Sequence, residues 1–136
     1  MSVKIRGMKK LQDDLERKLG KVRMQLVTDQ ALRAGAKVFV EELKRQVATF
    51  SDGIGQSEGY TLKEIAVSEP FTQAGVRTIK VHWKGPHGRY RIIHLNEFGT
   101  VKNPNPRGKG KIAIALRNSE KEYARVVRKA IRKGMR

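Results

Sequence analysis

A chain of 136 residues, 38% apolar and 32% charged, has the size of one domain with one core, burying about two-thirds of the surface exposed when unfolded. With no Cys and only three scattered His (His82, His87, His94), disulfides and thiolate chemistry are excluded and zinc ligation is poorly served. A formal charge of +17 calls for an acidic counterpart. No window reaches the roughly 18 apolar residues of a membrane span or the apolar centre of a signal peptide, so the chain is expected in the cytoplasm, off the membrane.

Met8, Leu11, Leu15, Leu19, Val22 and Leu26 follow one another at steps of three and four, the stripe of an amphipathic helix. Gly20 interrupts it and predicts a bend or break. Thr28 and Asp29 are N-cap candidates for a second helix, whose stripe is Leu32, Ala36, Phe39, Leu43 and Val47 and whose end falls near Phe50. The polar, glycine-rich "SDGIGQSEG" that follows reads as a mobile loop, not a phosphate cradle, because no strand precedes it and no helix directly follows.

From Tyr60 the period changes. "TLKEIAVSE" reads as a weak strand ended by Pro70. In "RTIKVHW", Ile79, Val81 and Trp83 alternate with Lys80 and His82, the pattern of a strand with one buried face. "GPHGR" predicts a turn between two strands, and "YRIIHLNEFG" a central strand or a strand entering a short helix. After a Pro/Gly loop, Ile112, Leu116, Tyr123, Val127 and Ile131 return to helical spacing. The sum is a single α+β domain over residues 1–136: N-terminal helices and a C-terminal helix packed on a small antiparallel sheet.

Candidate chemistry centres on His94 and Glu97. A helix would put them on one face, a strand on opposite faces. Without a second nearby His the zinc-hydrolase pattern fails, and a structural Glu97 that accepts hydrogen bonds from the following loop is the plainer reading. Ser51, Ser57, Ser68 and Ser119 lack a nucleophile elbow, and neither "GPHGR" nor "GKGK" has P-loop spacing.

The charge lies at the two ends. Residues 1–50 carry 12 Lys/Arg against 6 acids, residues 51–100 carry 6 against 5, and residues 101–136 carry 12 against 2. A merely solvated helix would mix signs, so Arg125, Arg128, Lys129, Arg132 and Lys133 mark a partner-facing surface. Nucleic acid and an acidic protein surface serve equally as that partner, although no helix-turn-helix, RNP motif or zinc finger is readable and Tyr123 is the only aromatic beyond Phe98.

The order of "VKIRGMKKLQDDLERKL", "ALRAGAKVFVEELKRQV", "VRTIKVHW", "RYRIIHLNEFGT", "NPNPRGKG" and the C-terminal helix resembles the tailed-phage family of head-tail joining, tail-completion or minor tail-component proteins. Its most specific part is the string His94, Glu97, Phe98, Gly99 and Thr100, followed by Pro104 and Pro106. The resemblance implies a non-enzymatic virion protein without cofactor or metal. Assembled in the host cytoplasm, it would complete a long non-contractile tail as a homo-oligomeric ring, usually of six copies. Its partners would be the tail tube protein and the head-completion or connector proteins, with DNA in the channel as a candidate contact. On that basis His94 to Thr100 is a strand-to-loop corner, and Pro104, Pro106, Arg107, Lys109 and Lys111 form an interaction loop. The alternative is a small basic nucleic-acid-binding protein; an enzyme using His94 and Glu97 ranks third. The charge also predicts a largely monomeric protein in isolation.

Overall fold

The computed structural model describes residues 2–49, 59–91, 93–106 and 108–136, without the side chain of Asn96. Residues 51–58 of the predicted loop, Phe50 at the expected helix end, and Arg107 all lie outside the described residues. The elements are β1 (Ser2–Arg6), α1 (Lys9–Leu19), α2 (Lys21–Ala48), α3 (Tyr60–Lys63), β2 (Ile65–Val67), β3 (Phe71–Gln73), β4 (Val76–Trp83), a 3-10 turn (Arg89–Arg91), α4 (Ile93–Phe98) and α5 (Lys111–Gly134). This is an α+β fold, with helices packed on an antiparallel sheet. Among the described residues no helix is long and apolar enough to cross a membrane.

β4 is the centre of the sheet, with β1 antiparallel on one side, Ile5 opposite Ile79 and Val3 opposite Val81. β2 and β3 share the other side. Between the pairs Val67↔Val81 and Phe71↔Thr78, four residues advance against three, so the edge carries one extra residue, a bulge. Ser68 knits it: its N–H donates to Lys80 O at 2.8 Å and its Oγ accepts from Lys80 N at 2.8 Å. Ala74 and Gly75, with φ of 52° and 75°, join β3 to β4 in a two-residue hairpin whose turn requires positive φ.

The alternation read in β4 puts Ile79, Val81 and Trp83 into the main core, beside Ile5, Leu32, Ala36, Phe39, Leu43, Val47, Ile93, Ile112 and Ala115. Every residue of the second helical stripe is there. Each of these large side chains contributes about 1.5–3 kcal/mol by leaving water. α2 and α5 run antiparallel: Gly35 meets Tyr123, and Gly134 meets Val27. A Cβ at Gly35 would stand 2.4 Å from Tyr123 Cε2, so glycine sets how closely the helices approach. Arg77 ties sheet to helix through a two-pronged pair with Asp29, Nε to Oδ1 at 2.9 Å and an Nη to Oδ2 at 2.8 Å. A second, smaller cluster joins Leu15 of α1 to Met24 and Val27 of α2.

Several expectations are corrected. Residues 2–6, unassigned in the sequence, form β1. Gly20, at φ 84°, ends α1 and resets the helical phase, so Met24 and Val27 turn inward while Val22 and Leu26, expected in the stripe, are exposed. Thr28 and Asp29 cap nothing: they lie inside α2, which starts at Lys21. "TLKEIAVSE" divides into the end of α3 and β2. Of the two readings of residues 90–99, the short helix is present as α4, but a 3-10 turn and not a strand leads into it, so "GPHGR" does not join two strands. Among the described residues of that run only Ile93 joins the hydrophobic core, which one side of a short helix supplies as well as a strand. Leu116 of the third stripe is exposed, and Ala115 and Ser119 are buried in its place.

Candidate functional site

Residues 93–106 and 108–111 form a corner organised by one carboxylate. α5 begins after Gly110 with no side-chain cap of its own and no acid in its first turn. Its orphan donors need an acceptor, and Glu97 of α4 supplies one. Oε1 accepts from Ile112 N at 2.7 Å, Oε2 accepts from Ala113 N at 3.2 Å, and the Glu97 carbonyl accepts from Gly110 N at 2.9 Å. Glu97 is buried, and its charge also complements the positive end of the α5 dipole. The donors are thus the first turn of α5, not the loop that the sequence suggested.

α4 ends where Gly99 N donates to Leu95 O at 2.9 Å with Gly99 at φ 80°. A Cβ at Gly99 would lie 2.5 Å from Pro104 O, so conformation and space both require glycine. Thr100 closes the turn: its N–H donates to Asn103 O and its Oγ1 accepts from Asn103 N, both at 2.9 Å. Beyond it Pro104 and Lys109 are exposed, Pro106 is half-buried, and Lys109 Nζ reaches Asn105 Oδ1 at 3.1 Å. Lys111, assigned to the loop, is the first residue of α5. Phe98 is 67% exposed and Val101 fully so, beside Leu95.

His94 is exposed while Glu97 points inward with both oxygens engaged, so α4 does not pair them. Among the described residues no three His, Asp or Glu side chains come together as metal ligands. The candidate serines are equally committed: Ser68 to the bulge, and buried Ser119 to Leu116 O at 3.2 Å. Ser51 and Ser57 lie outside the described residues.

A second carboxylate corner escaped the sequence reading. Glu64, also buried, accepts from His87 N at 2.8 Å through Oε2 and from Arg89 N at 3.0 Å through Oε1, holding the 85–89 turn against the end of β4. Burial alone pushes its carboxyl up. The two N–H groups, with the charges of His87 and Arg89, outweigh burial and hold it below the ordinary carboxylate value. Thr61, fully buried, accepts Trp83 Nε1 on its carbonyl and Arg89 Nε on its hydroxyl, both at 2.8 Å. Tyr60 stacks on the His87 ring with centroids 3.4 Å apart, and Lys63 Nζ stands 5.5 Å from the Tyr60 centroid. The available signal was a turn with two Gly and one Pro, rich in N–H donors, placed after a strand.

On α5, Arg125 is paired to Glu122 at 2.9 Å. Arg128, Lys129, Arg132 and Lys133 are exposed and form no ion pair among the described residues. The last acidic side chain of the sequence is Glu122, so every charged side chain of α5 beyond it is cationic.

Compared with protein-family models, curated proteins and solved structures, the chain matched none.

Proposed function

We propose that this chain is a structural virion protein of a long-tailed bacteriophage. It forms a ring, of six copies, at the head-proximal end of the tail, completes the tail and joins it to the head connector. The observation that carries the reading is the corner. Three residues of the resemblance motif, Glu97, Gly99 and Thr100, each hold backbone, so the motif builds a rigid mount for an exposed loop. At the opposite end of α5, its cationic last turns give an acidic surface of the tail tube or connector something to meet.

The test is a deletion within residues 101–106. Exposed loop contributes little core, so the melting temperature should stay nearly unchanged while heads no longer join tails. A shortened protein that still joins heads to tails refutes the assignment.

A second reading, a small basic nucleic-acid-binding protein, is favoured by one observation: Tyr60, His87 and Lys63 combine stacked rings with a cation, the pairing used to hold unpaired bases. It requires sequence-independent binding that weakens steeply with salt and is lost in Tyr60→Ala.

A further inference from the structure

An apolar cavity of about 130 Å³ lies where α1 crosses the α2–α5 pair, lined by Leu11, Leu15, Ala31, Leu32, Val127 and Ile131 among others. A cavity of about 150 Å³ with similar walls takes up a benzene ring, so this one has room for a single leucine- or phenylalanine-sized side chain. Its surroundings are cationic. Exposed Arg6 belongs to the lining, exposed Lys10 precedes Leu11, and exposed Arg128 and Arg132 each follow a lining residue by one position. The acids one position from the lining are mostly paired, Asp13 with Lys9, Asp14 with Arg17, Asp29 with Arg77 and Glu122 with Arg125, which leaves Glu16.

We infer that this hollow is the anchor point of an acidic protein segment, one bulky apolar residue entering the cavity while flanking carboxylates meet Arg6, Lys10, Arg128 and Arg132. Charge complementarity selects this occupant. A second copy of a +17 chain would bring cations to cations, and a duplex has no apolar side chain to insert. The inference rests on the proposed role of α5 as the surface that meets the tail or connector, and names what that surface recognises: an apolar anchor within an acidic run.

The test uses a fluorescein-labelled synthetic peptide in which one leucine is flanked by three glutamates on each side, titrated with the full chain. Replacing the peptide's leucine by serine should weaken binding at least tenfold. So should Arg128→Glu combined with Arg132→Glu, and so should Ala31→Leu, which fills the cavity without touching charge. If Ala31→Leu does not fold, Leu11→Asp at the half-exposed rim serves in its place, and the Val127 and Ile131 methyl resonances of the parent protein must shift on titration. Equal binding of the leucine and serine peptides, unshifted methyls, or a DNA duplex that displaces the peptide from the parent and binds Ala31→Leu undiminished would each overturn the inference. Head-tail joining is scored separately on the same variants. Joining that needs the α5 charges but tolerates the filled cavity removes this inference and leaves the proposed role standing.

Discussion

Glu97 and Thr28 sit at opposite ends of the polar accounting. Glu97 is buried with both oxygens on α5 N–H groups; Thr28 is buried with an Oγ1 that has no hydrogen-bond partner among the described residues. Removing an acceptor that buried donors depend on leaves them unpaired, so Glu97→Ala should lower unfolding stability by about 1–3 kcal/mol, with Glu97→Gln between it and the parent. Removing a polar atom that has no partner does the reverse. Thr28→Val keeps the shape and the β-branch and should raise stability by up to about 1 kcal/mol. Urea unfolding of the three variants checks both signs. A Glu97→Ala protein as stable as the parent would mean that water satisfies the α5 terminus, and a destabilised Thr28→Val would mean that the hydroxyl is bonded.

At the scale of elements, α2 and α5 are held at the distance that Gly35 permits. Gly35→Ala would gain helix propensity on an isolated helix, yet here its Cβ must displace the Tyr123 ring. A net loss of about 1–3 kcal/mol is expected, recovered in large part by pairing it with Tyr123→Leu. The Glu64 corner gives a dependence on pH. Its folded value lies below its unfolded one, so the carboxylate contributes stability above about pH 4.3 and loses that contribution as pH falls through the depressed folded value. Glu64→Gln should be less stable than the parent at pH 7, with the gap closing on acidification. A gap that stays constant to pH 3 overturns this account. These elements were unequally legible in the sequence. α2 from Leu32 onward, the C-terminal part of α5 and β4 have long, clean periodicity and were readable, whereas the first turns of α2 were read as a continuation of α1. β1 offers only Val3 and Ile5 between charges, and its strand character comes from β4, seventy-odd residues away. α4 is too short to show a period, and its stability is borrowed from Glu97 and Ile93. The corner residues were visible as a motif, but the identity of the donors, α5 N–H groups fifteen residues further on, depends on a tertiary approach that no local pattern encodes.

For the molecule as a whole, charge governs self-association. Each copy carries +17, and with a screening length of about 8 Å at physiological salt, cationic surfaces in contact still repel. The isolated protein should sediment as a monomer at low salt and associate slightly more as salt rises; a stable ring at low salt and micromolar concentration would show that no acidic partner is needed to license assembly. The edges of the sheet bear on the same question from another side. β1 exposes Ser2, Lys4 and Arg6 along one margin, and the other is broken by the Ser68 bulge and by Pro70. The charges on the one margin and the bulge and proline on the other make both poor templates for a second chain. Copies gathered at high concentration must therefore meet through side chains, by contacts that can be undone and remade, and a misplaced copy can leave without unzipping a shared sheet. A concentrated solution of the protein is in this way kept from condensing into fibrils.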